Sequence, residues 1–134
     1  MIIGVDPGKD KCGVAVLNSS GDVKFSEVIP TIDFELTLKK LSAQFEVDLV
    51  ILGNGTTHSI AEKKLRAINF TVEVVDEKFT TEEARREYWK QNPPRGWRKL
   101  LPTSLQVPPV PVDNIVAEIL VKRFLGKREQ GLKR

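Results

Sequence analysis

Residues 2–17 read Ile2-Ile3-Gly4-Val5-Asp6-Pro7-Gly8-Lys9-Asp10-Lys11-Cys12-Gly13-Val14-Ala15-Val16-Leu17. Two apolar, β-branched runs flank the Pro7-Gly8 turn pair, and so short a gap suits an antiparallel return. Asn18-Ser19-Ser20-Gly21-Asp22 closes the second run, and Val23, Phe25 and Val28-Ile29 mark a third strand that Pro30 stops. The opening is thus an antiparallel meander. Asp6 sits at the carboxyl end of the first, central-looking strand. A carboxylate there is costly to bury without compensation, and a divalent cation compensates it efficiently. An Asp opening a Pro-Gly turn is also ordinary loop chemistry, so Asp6 alone decides little.

Beyond the meander the hydrophobic period changes from two to nearly four. Phe34, Leu38, Leu41 and Phe45 lie on one face of a helix that Asp33 is placed to cap. Asp48-Leu49-Val50-Ile51-Leu52 is almost wholly apolar, as in a parallel strand buried on both faces, and it ends at Gly53-Asn54-Gly55. A shorter helix with Ala61, Leu65 and Ile68 follows, then a strand over Thr71–Asp76. A third helix opens at a capping box of Thr80 and Glu83. Residues 91–112 hold six of the eight prolines and read as loop, and a last helix runs from Asp113 through Val116, Ile119, Leu120 and Phe124. Three antiparallel strands, then alternating helices and two parallel strands, imply an α/β mixed sheet with helices on both faces. That is the strand order of the ribonuclease H-like fold, with a ligand site expected at the carboxyl ends of the parallel strands.

In 134 residues this makes one expected domain over 1–126 and a basic tail over 127–134. With 40% hydrophobic and 29% charged residues the chain reads as globular. Its apolar runs are far shorter than the roughly 20 residues a membrane helix needs. Met1 leads directly into Ile2-Ile3 with no basic segment, so a cytoplasmic protein without a secretory signal is expected. Cys12 alone builds neither a disulfide framework nor a thiolate zinc site, and it reads as a buried strand residue.

The net charge of +3 conceals an uneven distribution. Residues 88–112 carry Lys90, Arg95, Arg98 and Lys99 and no acid, and residues 122–134 carry a net +5, so the rest of the chain is acidic. An acidic body with basic segments suits a polyanion binder whose chemistry uses carboxylates. Asp76-Glu77 ends one strand and, by alternation, at most one of the pair points into a shared site. Asp113 begins the last helix, where an N-cap is its ordinary role. Taken together with Asp6, these acids offer hard oxygen ligands for Mg²⁺ or Mn²⁺. Gly53-Asn54-Gly55-Thr56 before a helix offers backbone N–H groups to a phosphate, with Asn54 as a neutral ligand. Trp97 and Arg98, beside Arg95 and Lys99, suit a stiff basic arm that neutralises phosphates and stacks on an unpaired base. Trp89, on a helix face, is assigned to the core.

These segments resemble the YqgF (RuvX) family and the RuvC resolvases. Gly4-Val5-Asp6-Pro7-Gly8 with Gly13-Val14-Ala15-Val16 is similar to the family's opening. Val75-Asp76-Glu77-Lys78-Phe79-Thr80-Thr81-Glu82-Glu83-Ala84 is similar to its Asp-Glu-Arg-x-Thr-Thr-x-x-Ala segment. Val112-Asp113-Asn114-Ile115-Val116-Ala117 resembles its final motif and helix. The resemblance implies a metal-dependent nuclease acting in pre-16S rRNA processing or Holliday junction resolution. It makes Asp6, Glu77 and Asp113 the catalytic, metal-binding triad, with Asp6 bridging a pair of ions. Lys78, Arg95, Trp97, Arg98, Lys99, Gly55 and Thr56 become contacts to RNA or DNA, and a junction substrate calls for a homodimer. Lys78 stands where the family has Arg, and the Gly-Asn-Gly-Thr loop resembles that of the YqgF-like domain of the transcription factor Tex. Those departures support a second reading, a nucleic-acid-binding module with little catalysis. A sugar kinase or ATPase also opens with Gly-x-Asp-x-Gly and a hairpin, but it needs a second domain for which this length leaves no room.

Overall fold

The computed structural model describes residues 1–55, 57–78, 80–103 and 106–132, without the side chains of 97, 98 and 129–132. The strands are β1 (Ile2–Asp6), β2 (Lys11–Leu17), β3 (Val23–Pro30), β4 (Leu49–Gly53) and β5 (Val72–Val75). The helices are α1 (Phe34–Gln44), α2 (His58–Ala67), α3 (Thr80–Gln91) and α4 (Asp113–Leu132), with 3-10 turns at Thr31–Asp33 and Gly96–Leu100. One sheet runs in the order β3-β2-β1-β4-β5. β1 pairs antiparallel with β2 and parallel with β4, while β2–β3 is antiparallel and β4–β5 parallel. This is the mixed α/β sheet of the ribonuclease H-like topology, as the meander and the all-apolar β4 imply.

Strand alternation divides the apolar residues between two cores. Ile3, Val5, Val14, Val16, Val50 and Leu52 face α1 and α2, where Phe34, Leu38, Leu41 and Leu65 cover them. Ile2, Ala15, Leu17 and Ile51 face the opposite way, under Val116, Ala117, Leu120 and Val121 of α4 and Ala84 of α3. Each fully buried aliphatic side chain contributes about 1.5–3 kcal/mol, so both faces of the sheet are held by burial. Asp6 shares the parity of Ile2 and Gly4 and therefore belongs to the α4 face. That parity is what directs its carboxylate towards α4 rather than into the α1–α2 core.

Three local expectations are corrected. Asp33 occupies the position before α1 but makes no side-chain capping bond, because a 3-10 turn leads into the helix. Thr80 is the first residue of α3 rather than its cap; its hydroxyl donates to the Glu77 carbonyl, and Glu83 reaches Arg123 instead of closing a box. Residues 127–132, expected as tail, continue α4. Among the described residues no helix is long and apolar enough to cross a membrane.

Candidate active site

Asp6 ends β1 directly opposite Gly13 of β2. Gly13 is the seat of α4: a Cβ there would overlap the Asp113 carbonyl group and lie 2.7 Å from the Asn114 nitrogen. Gly4 repeats the arrangement one turn on, beneath the Ala117 carbonyl and 2.7 Å from a Val121 methyl. Only residues without a side chain let the helix lie this close to the strands. The helix start, and with it Asp113, is thereby set against the end of β1.

Glu77 arrives from the other side. β5 ends at Val75, and Asp76 turns outward to accept the Lys78 backbone N–H at 3.0 Å. Glu77 turns inward across the end of β4. Its Oε2 occupies the space a Cβ on Gly53 would fill, and its Oε1 lies 2.7 Å from the Cβ position of Gly55. The Asn54 side-chain oxygen accepts the Glu77 backbone N–H at 3.2 Å. A second anchor comes from α4. Arg123 donates from Nη1 to the Lys78 carbonyl at 3.0 Å and pairs through Nη2 with Glu83. One helix thus carries Asp113 at its start and, ten positions on, the arginine that ties down the turn holding Glu77.

The electrostatics follow from this convergence. Burial, then the Glu77 charge and a hydrogen bond with Glu77, then the Asp113 charge push the Asp6 carboxyl up to about 8 from an ordinary 3.8. Among the described residues, Glu77 Oε2 and Asp113 Oδ2 are buried without a hydrogen-bond partner. Lys11 Nζ stands 3.6 Å from that Asp113 oxygen, an ion pair too long for a hydrogen bond and with the lysine half exposed. Among the described residues no three His, Cys, Asp or Glu side chains are gathered tightly enough to grip a cation as they stand. The two observations are compatible. Like charges this close repel, and drawing them onto one centre needs the charge of a cation. Orphaned carboxylate oxygens beside a carboxyl that resists ionisation fit a hard divalent ion. The cleft of about 630 Å³ lined by Glu73, Asp76, Lys78, Arg123 and Lys127 contains none of the three acids.

The remaining expected contacts are dispersed. Lys78, Arg95 and Lys99 are exposed on the surface. Thr56 lies outside the described residues, as do the side chains of Trp97 and Arg98. Gly55 packs against the Glu77 carboxylate, and its carbonyl accepts from the His58 backbone N–H at 3.0 Å. The Glu77 side chain thus lies against the loop to which Gly55 belongs. Lys11, Asn54 as a support for Glu77, and Arg123 were not foreseen. Lys11 has a sequence signal, since it starts the strand that faces Asp6, whereas the reach of Arg123 depends on the path of α4.

No family model and no curated protein matches the chain. Among solved structures, RuvC of Thermus thermophilus is similar with a TM-score of 0.49 at 12% identity, over 89% of this chain and 90% of that one. A Cytophaga hutchinsonii protein described as a sugar kinase is similar with a TM-score of 0.42 at 13% identity, over 63% of this chain. This chain spans only 38% of that protein's length. At such identities no activity passes from either protein to this one.

Proposed function

We propose that this protein is a divalent-metal-dependent nuclease that hydrolyses phosphodiester bonds in structured RNA or DNA. One observation carries the reading: Asp6, Glu77 and Asp113 come from a strand end, a strand–helix turn and a helix start into electrostatic range of one another, and two of their buried oxygens lack partners among the described residues. These three would hold Mg²⁺ or Mn²⁺. When bound, such ions neutralise charge developing on the phosphoryl oxygens and lower the pKa of an attacking water. The chain's own residues do the rest. Asp6 surrenders its proton as the site loads, Asn54 and Arg123 keep Glu77 in place, and Lys11 balances Asp113 at the open edge. Lys78, Arg95 and Lys99 neutralise backbone phosphates on the approach to the site. The motif resemblance to the YqgF and RuvC families supports rRNA precursors or four-way junctions as substrates, the latter as a homodimer.

The test is cleavage of junction, duplex, single-stranded and rRNA-precursor substrates with Mg²⁺ or Mn²⁺ titrated. The parent cuts at least one substrate, and Asp6→Asn, folded by circular dichroism, cuts none. An Asp6→Asn protein as active as the parent refutes the mechanism. Salt-sensitive binding of nucleic acid without cleavage under any metal transfers support to the non-catalytic binding module.

A further inference from the structure

Trp89 is not a core residue. It stands half-buried on the last turn of α3, and its Nε1–H is buried without an acceptor among the described residues. The ring meets Tyr88 edge to face, with centroids 5.1 Å apart and planes at 77°. Together they line a cleft of about 500 Å³ whose other walls include Asn92, Pro94, Arg95 and Pro109. That volume lies in the range of sites for small organic ligands.

The chemistry of the walls selects among such ligands. Among the described residues no acid lines the cleft, and it lies within the segment 88–112 that carries four cations and no carboxylate. Asn92 spends its amide N–H on the Tyr88 carbonyl at 3.2 Å, and Gln91 spends its own on Glu87 at 3.2 Å. Both amide oxygens are left to accept. The cleft therefore presents aromatic surface, amide acceptors and an exposed guanidinium. A planar, amine-bearing ring attached to an anion matches each of these, as a nucleobase with its phosphate does. Proline rings at Pro93, Pro94 and Pro109 hold the walls stiff, which limits the ordering lost on binding.

The location is also informative. Pro109 lines the cleft and precedes Asp113 by four residues, so even a fully extended chain places the two within about 14 Å. α3 packs against α4, bringing Lys90 and Glu87 beside Ile115 and Ile119. The cleft and the carboxylates thus lie within a few nucleotides of each other along a bound strand.

We infer that the cleft of Tyr88, Trp89, Asn92 and Arg95 is a binding site for an unpaired nucleobase and its phosphate. It selects substrates with a single-stranded or splayed nucleotide next to the bond to be cut. The inference rests on the nucleic-acid reading above but not on catalysis. Single strands expose bases to such a site, whereas a blunt duplex offers only phosphates.

The experiment measures fluorescence anisotropy of the full chain in EDTA, where no metal-dependent cutting occurs. The probes are a labelled single strand of roughly 12 nucleotides, within the span one compact module covers, and a blunt duplex of equal length. The parent prefers the single strand by about tenfold or more, the effect of stacking one base. Arg95→Ala and Trp89→Phe each reduce that preference, Trp89→Phe while retaining the ring and so the fold. A strand carrying abasic positions loses the preference for the parent protein. Equal affinity of the parent for both probes, or a preference that survives both substitutions, overturns the inference. If the protein still cleaves with Mn²⁺ in that case, the nuclease reading stands without the cleft; if no nucleic acid binds at all, both fall.

Discussion

Replacing Asp6 with Asn should make the metal-free protein more stable at neutral pH, although the change removes the residue at the centre of the site. The sign follows from linkage. The Asp6 carboxyl is pushed up to about 8 in the folded chain from 3.8, so between those values the native state holds a proton that the unfolded chain releases. Stability is therefore fully present below pH 3.8, falls as pH rises, and reaches its floor above pH 8. Each pH unit in that window is worth at most about 1.4 kcal/mol. Water reaches part of the site and screens the interaction, which reduces the cost at pH 7 to about 1–3 kcal/mol. Asn has nothing to ionise and avoids this cost. For a domain of this size the gain corresponds to a Tm higher by roughly 3–10 °C. Thermal melts of parent and variant in EDTA from pH 4 to 8.5 should show curves that coincide at the acid end and diverge as pH rises. Millimolar Mn²⁺ should then stabilise only the parent, by about 2.7 kcal/mol at a hundredfold excess over Kd, closing or reversing the difference. A variant less stable than the parent at pH 8 in EDTA, or a difference independent of pH, would refute the reasoning.

Two glycine substitutions should part stability from site function. Gly13→Ala drives a methyl group into the Asp113 backbone and should cost about 3 kcal/mol or more, seen as a lower denaturant midpoint. Gly53→Ala meets the movable end of Glu77, so the fold should lose about 1 kcal/mol or less while Mn²⁺ affinity drops at least tenfold by calorimetry. Arg123→Ala, which frees the Lys78 carbonyl and Glu83, should cost about 1–3 kcal/mol and weaken Mn²⁺ binding; Arg123→Lys should recover the charge but not the two-pronged contact. Binding of duplex should weaken steeply with salt, and Lys99→Ala should lower the slope of log K against log salt by about one.

Much of the sheet was legible because its signals are local. The meander needs only short gaps between β-branched runs, so the β3-β2-β1 half of the sheet follows from neighbours in sequence, whereas β4, marked by its unbroken apolar run, joins β1 across more than forty residues. Asp6 was legible for the same reason, being the lone charge at the end of a central strand. The choice between Asp76 and Glu77 was not settled by alternation alone. In the structure it is set by Gly53 and Gly55, which leave space that the Glu77 carboxylate fills from more than twenty residues away. The capping box failed for a similar reason: Glu83 has a local partner in sequence but a better one in Arg123, forty positions on. Trp89 looked like core because helical spacing gives a side chain's direction around its own helix but not where the neighbouring surface ends. Gly4 and Gly13 acquire meaning only once α4 lies across them.

Calorimetric titration of Mn²⁺ at pH 8 into the parent, Asp6→Asn, Glu77→Gln, Asp113→Asn and Asp76→Asn addresses the proposed centre most directly. The account predicts binding by the parent and by Asp76→Asn, and a loss of at least a hundredfold in affinity for Asp6→Asn, with smaller losses for Glu77→Gln and Asp113→Asn. Binding that survives the Asp6 substitution, or that disappears with Asp76 and persists without Glu77, would contradict it.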